Sequence, residues 1–246
     1  SVGFRNTFVD RPQIPYGDLD GNTTVTTRMA DEAARRGILV IVAMGNRGPG
    51  SGTLLAPADA DSAVSVGAVD SLTWTRLAVP LDISSRGPTA DGRTKPELAA
   101  RGARMVAAST QFLTAYEANL TGTSYSTPLI TAAFALFMEA WPNLSIMAAR
   151  QALMLSATNA SQPNIVVGYG VPDVAAAVMF PDGIVLSQNS LSSKDLAGNL
   201  TTITPTFRWE TPQKHPRTGD VTYRIEVARD SQFLDVVFGG RIQTLM

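Results

Sequence analysis

Ser124 sits in residues 121–128, TGTSYSTP, directly ahead of a long apolar stretch. A serine at a helix N-terminus lies among backbone N–H groups that have no partner within the helix and carry partial positive charge. Such a serine can act as a nucleophile while its own N–H faces a developing oxyanion. Pro128 strengthens that reading, because its missing N–H deletes the helical bond that would return to the carbonyl of Ser124. The same residues fit a plainer role, in which Thr123 or Ser124 simply caps a core helix. A second candidate closes residues 38–46, ILVIVAMGN. At the carboxyl end of a parallel strand, the amide of Asn46 would point into the crevice where open α/β sheets bind ligands, as a neutral oxyanion donor. Its alternative is an Asx-type turn beside Gly48 and Pro49.

Few other side chains compete for chemical roles. The chain has no cysteine, which excludes thiol nucleophiles, disulfides and Cys-ligated metal sites. A single histidine excludes a multi-histidine metal centre and leaves His215 as the one imidazole base in the chain. It lies in a KHPR stretch between Pro212 and Pro216, where a solvated loop histidine is expected, since a base must come within about 3 Å of its nucleophile. Asp59, Asp61 and Asp91 could ligate a hard cation, but no loop has the EF-hand pattern, so turn chemistry is expected and no metal ligand is assigned. The glycines at 45, 48, 50 and 52 lack the lysine and following helix of a phosphate loop. Asn22, Asn119, Asn143, Asn159 and Asn199 open N-x-S/T triplets, which a chain rich in Ser and Thr forms by chance. Twenty Lys and Arg against 21 Asp and Glu leave no global positive field, so neither nucleic acid nor an anionic membrane surface is an expected partner. The apolar stretch at residues 129–141 is broken by Thr131 and Glu139 and falls short of the roughly 18 to 20 residues of a bilayer span.

These candidates need a scaffold, and its outline is legible. Polar capping residues before an amphipathic run, then Gly37, then a continuous apolar run at residues 38–44 predict a helix, its C′ glycine and a buried strand. SAVSVGAVD at 62–70 and RMVAAS at 104–109 predict two more strands, and helices are expected at about 124–141 and 145–158. The first of those helices is apolar almost all round and is expected at the centre of a core. Alternating helices and buried strands imply an α/β domain with a mainly parallel sheet, at residues 1–180. Near Pro181 the helical period stops in a polar, turn-rich connection. Beyond it, alternating runs around Phe207 and Trp209, then Tyr223, Ile225 and Val227, then 235–238 predict antiparallel strands. Residues 181–246 are few for a sandwich of about 100 residues, so an incomplete all-β sandwich is expected there.

In chain order, ILVIVAMGNRG, APADADSAVSVGAVDS, ISSRGPTADGRTKPELAARG and TGTSYSTPLITAA resemble the subtilisin-like serine proteases. The resemblance spans about residues 1–178. Its specific combination is G-T-S-x-x-x-P with an upstream A-x-G-N-x-G and S-S-x-G-P. It implies a subtilisin-like sheet with helices on both faces, and serine endopeptidase activity on polypeptide substrates. Ser124 would be the nucleophile that forms the acyl-enzyme, and Asn46 with the Ser124 N–H would be the oxyanion hole. Ser1, Val2 and Gly3 match the strand that receives an extended substrate by β-addition, and Met44, Gly45 and Asn46 would form the other wall of the side-chain pocket. Residues 84–88 match a turn read as structural.

The same resemblance marks departures. The family's catalytic Asp, in D-T/S-G, and His, in H-G-T, both precede the strand at which this sequence starts. Asp10, Asp18 and Asp20 lie in other motifs. The chain is therefore expected to be the carboxyl half of a peptidase domain followed by the start of a fibronectin type III-like module. It is expected to need its missing amino-terminal half for turnover, and to be aggregation-prone alone because that half would cover an apolar face. Ser126 stands where the family commonly has Ala, and Arg101 where it has Pro. No cofactor is required for the chemistry; the family leaves a structural calcium open, and its habit is secretion, the periplasm or the cell surface. The rival is a non-catalytic subtilase-like module that binds peptides or surface partners, against which the retained Ser124 and Asn46 argue. An α/β hydrolase fits less well, since its G-x-S-x-G elbow finds Ser126 where the second glycine belongs.

Overall fold

The computed structural model describes Gly3 and residues 13–72, 78–112, 114–179, 222–228 and 236–243. Helix α1 (Val25–Arg35) starts where the Thr24 Oγ1 accepts the Thr27 N–H at 3.2 Å. It ends where Gly37 turns left-handed, with φ +81°, the conformation that favours glycine after a helix. The chain then enters strand β1 (Ile41–Ala43). Strand β2 (Val64–Leu72) is the hub of the sheet. It runs parallel to β1, with Val42 opposite Ser65, and parallel to β4 (Leu98–Arg101), with Val66 opposite Leu98. Strand β3 (Ala78–Pro80) joins it antiparallel. Because Val66 meets β1 and β4, and Val69 meets β4 and β3, strands β1 and β3 must share one edge of β2 end to end.

Alternation along the strands feeds two cores. Val64, Val66, Leu98 and Ala100 pack against Ile130, Phe134 and Phe137 of α2 (Thr123–Ala140), Leu153 of α3 (Ile146–Leu155) and Ala177 of α4 (Val174–Met179). Val42 and Met44 turn the other way, toward Leu19, Leu54 and Ala30 of α1. Helices thus flank both faces, as expected.

The sheet is mainly parallel, through β2 with β1 and with β4, and takes one antiparallel strand, β3, while a separate antiparallel pair, β5 (Met105–Ala108) with β6 (Tyr116–Leu120), leads to α2. One expectation is corrected, the burial of α2 all round, and strands β3, β4 and β6 are added to those expected. Strands β4 and β6 carry no β-branched periodicity; their pairing partners make them strands, not their propensity. Helix α2 is not buried all round: Ile130 and Phe137 are buried, whereas Leu129 and Leu136 are 42% and 57% exposed. At about 100° per residue only one face of a helix meets one sheet, and among the described residues nothing covers the other.

The chain forms two compact units, Ser1–Pro212 and Gln213–Met246. In the second, β7 (Thr222–Ala228) pairs antiparallel with β8 (Val236–Gln243), Tyr223 facing Ile242 across the ladder. The connection near Pro181 and the run around Phe207 and Trp209 lie outside the described residues.

Candidate active site

Asn46 leaves the sheet through a rigidly held turn. Met44 is anchored by its N–H to the Val66 carbonyl at 3.0 Å. Gly45 follows with φ +108°, and a Cβ there would lie 2.7 Å from Leu55 Cγ and 2.9 Å from Ser85 Oγ, so only glycine passes. Ser85 then clamps the backbone on both sides of Asn46. Its N–H donates to the Gly45 carbonyl at 2.9 Å, and its Oγ accepts the Arg47 N–H at 3.0 Å. Ser84 Oγ accepts the Ala68 N–H at 3.0 Å. The turn at residues 84–88 is thus the brace that ties the Asn46 loop to β2.

A second tether brings up the serine. Gly102 donates to the Val69 carbonyl at 2.9 Å, and Gly122 donates to the Gly102 carbonyl at 2.8 Å. The turn before α2 is thereby pinned just beyond the carboxyl end of β4, beside Val69 of β2. Thr123, fully buried, donates its N–H to Asn46 Oδ1 at 2.9 Å and its hydroxyl to the same oxygen at 3.0 Å, while Thr123 Oγ1 accepts the Gly45 N–H at 3.3 Å. Two residues 77 apart in sequence are locked together, and Ser124 follows, exposed, in the first turn of α2. Pro128 lies inside that helix and offers no N–H to the Ser124 carbonyl. Gly122, at φ +149°, leaves room for the amide, since a Cβ there would come within 2.9 Å of Asn46 Nδ2.

The other expected positions fall as follows. Gly3 reaches the same neighbourhood as Gly45, because Cβ atoms built on either would meet the Leu55 side chain, at 3.0 and 2.7 Å. Leu55 therefore lies where the two expected walls converge. Met44 is fully buried, so it supports its wall from the core and presents no exposed side chain there. Ser1, Val2, Asp10 and His215 lie outside the described residues. Asp20 is a turn cap, accepting from the Asn22 and Thr23 N–H groups at 2.8 Å each. Asp59 accepts from the Thr27 hydroxyl at 2.8 Å and the Gly21 N–H at 3.1 Å, and burial pushes its carboxyl up. Asp61 and Asp91 both pair with Arg93, at 2.8 and 2.7 Å. Among the described residues no group of three or more His, Asp or Glu is arranged to hold a metal ion, and no helix is long and apolar enough to cross a membrane.

The motifs exposed Asn46 and Ser124 in the sequence and marked residues 84–88 as a structural turn, but Leu55, the tether through Gly102 and the clamping role of Thr123 escaped it. Thr123 was visible only as a rival cap.

The family model of the subtilases matches residues 11–171. The chain belongs to the subtilase family. This subtilase is 30% identical over 136 residues to serine protease AprX of Bacillus subtilis (strain 168), covering 48% of this chain and 30% of that protein. It is 29% identical over 175 residues to subtilisin DY of Bacillus licheniformis, covering 69% of this chain and 57% of that protein. The chain thus spans well under two thirds of the length of either relative. Among solved structures, the S41 psychrophilic protease superposes with a TM-score of 0.54 at 25% identity, over 63% of this chain and 54% of that one. Sphericase gives a TM-score of 0.52 at 23% identity, over 60% and 51%, and shares the fold.

Proposed function

We propose that this subtilase carries the nucleophile and the oxyanion hole of a serine endopeptidase. Ser124 Oγ attacks the carbonyl carbon of a peptide bond, and its proton passes to an imidazole base. The tetrahedral oxyanion lies between Asn46 Nδ2 and the Ser124 N–H. Collapse breaks the C–N bond, the imidazolium returns the proton to the leaving amine, and water later hydrolyses the acyl-serine by the same route in reverse. One observation carries this reading. Two donors of Thr123 face a single atom of the Asn46 amide, at 2.9 and 3.0 Å. That atom has to be the oxygen, so the amide turns its donor side away from Thr123, beside the Ser124 turn. Both proposed oxyanion donors, the Asn46 amide and the Ser124 N–H, are neutral dipoles set in place before charge develops.

The base and its orienting carboxylate are proposed to come from the amino-terminal side of Ser1, as the family's H-G-T and D-T/S-G motifs do. Support comes from the sequence, which holds one histidine and no H-G pair. The substrate would lie extended along Ser1, Val2 and Gly3, with Leu55 between that strand and Gly45 giving an apolar pocket wall. The reaction as proposed uses no cofactor. An extracellular or surface location and a sandwich module containing β7 and β8 belong to the same proposal.

The test is hydrolysis of a chromogenic peptide. The 246-residue chain is expected to give negligible turnover alone. The full-length protein should be active, and Ser124→Ala should abolish its activity. Turnover by the 246-residue chain that disappears on Ser124→Ala would overturn the external base. Full activity in the Ser124→Ala protein would overturn the nucleophile.

A further inference from the structure

We infer that Leu55 fills the slot that would receive the side chain ahead of the scissile bond, so that this subtilase cleaves after glycine, alanine and serine and discriminates against large apolar and aromatic residues. This rests on the serine peptidase reading above and names its substrate class. A carbonyl held between Asn46 Nδ2 and the Ser124 N–H has its own Cα one bond away. The side chain on that Cα therefore falls beside Gly45, the residue before Asn46, and toward the strand of Gly3 along which the substrate would lie. Two glycines bordering such a space present no Cβ to it, and by themselves would leave room for a bulky group. Here the room is taken. A Cβ on Gly45 would come within 2.7 Å of Leu55 Cγ and 2.8 Å of its Cδ1, and a Cβ on Gly3 within 3.0 Å of its Cβ and Cδ1. One isobutyl group thus lies against both walls. The backbone that carries it is held in place, because the Leu55 N–H donates to the Met44 carbonyl at 3.1 Å and the Leu55 carbonyl accepts the Ala58 N–H at 2.8 Å. Leu54 and Ala56 on either side are fully buried and anchor the segment in the core. Leu55 itself is half-buried, so its exposed part is the floor that a small substrate side chain meets. Seating a phenyl group in the same space would drive Leu55 off a favourable rotamer, the overpacking that a close-packed site resists.

The test compares kcat/KM of the full-length protein on peptide anilides that differ only in the residue before the scissile bond, which is alanine, leucine or phenylalanine. The wild type is expected to favour alanine over phenylalanine by about tenfold or more. Leu55→Gly should raise the phenylalanine-to-alanine ratio by about 10²-fold, within the range that pocket size gives for apolar side chains, and Leu55→Ala should raise the leucine-to-alanine ratio by about tenfold. The ratio is the informative quantity, because a variant that merely loosens the fold lowers turnover of every peptide together and leaves the ratio where it was. A wild type that favours phenylalanine would overturn the inference without any variant, since Leu55 would then be swinging aside to admit the ring. Ratios unmoved in both variants would overturn it as well. Hydrolysis of none of the peptides by the full-length protein is a different outcome: it would overturn the peptidase reading itself, and the specificity assigned to Leu55 with it.

Discussion

Ser126 stands two residues after Ser124, fully buried, with its Oγ close against Gly102 and no hydrogen-bond partner among the described residues. A buried hydroxyl without a partner costs about 1–3 kcal/mol relative to one that is paired. Ser126→Ala, which restores the family's usual residue, is therefore expected to raise stability by about 1 kcal/mol. Urea unfolding midpoints measure this, and a lower midpoint for the variant would show that the hydroxyl has a partner in solution. Thr123, three positions earlier in α2, has the opposite character, since both its N–H and its hydroxyl are committed to Asn46. Two hydroxyls in one helical turn thus differ in consequence because of what each meets across the sheet end, which their local sequence does not specify.

At the scale of elements, α2 shows how composition and burial part company. Its sequence is apolar on every side, yet only the face bearing Ile130, Ala133, Phe134 and Phe137 is buried, and Leu129 and Leu136 look outward. Exposed apolar side chains that line up two turns apart on one helix face are a route to self-association. Leu136→Gln is expected to shift the 246-residue chain toward monomer while changing stability by less than about 0.5 kcal/mol, as a surface substitution does. Sedimentation velocity with parallel thermal unfolding separates the two effects, and an unchanged oligomer distribution would refute the role of this face. Strand β4 makes the converse point. LAAR is a poor strand by propensity, and it becomes one because β2 offers it a parallel edge in register from Val66 to Val69.

Across the molecule, one buried ionic cluster joins the second strand, the third helix and the residues before β4. Glu97 receives Lys95 Nζ at 2.5 Å, Arg150 Nη2 at 2.9 Å, and the Ser65 N–H and hydroxyl at 2.7 and 2.6 Å. Lys95 Nζ also donates to the Ala60 carbonyl at 2.7 Å. Burial alone would push the Glu97 carboxyl up. The Lys95 and Arg150 charges, with the hydrogen bonds from Lys95 and Ser65, outweigh it and hold the carboxyl below its ordinary range. A carboxyl depressed in the folded state contributes stability above its unfolded pKa, and that contribution is lost as pH falls through the folded value. Glu97→Gln leaves the Lys95 ammonium buried without its counter-charge and is expected to cost about 3–5 kcal/mol at neutral pH. The gap between variant and wild type should narrow as pH is lowered into and below the carboxylate range. Denaturant titrations across that range check the sign, and a gap that widens on acidification would contradict it.

How much of this was legible beforehand follows from the reach of each signal. Glycine after α1, the apolar run of β1, the alternation in β7 and the G-T-S and G-N motifs are set by residues adjacent in the chain, so the amino-acid sequence alone determined those elements and singled out Asn46 and Ser124. Which side of α2 is covered, that alanine-rich β4 is a strand, that Ser85 braces the Asn46 loop and that Leu55 lies between Gly3 and Gly45 depend on partners tens of residues away. Only the tertiary structure decided those. Asn46 illustrates the division most clearly: its identity and place at a strand end come from the sequence, but the direction of its amide is set by a threonine 77 residues later, because a hydrogen bond acts through space over about 3 Å and takes no account of distance along the chain.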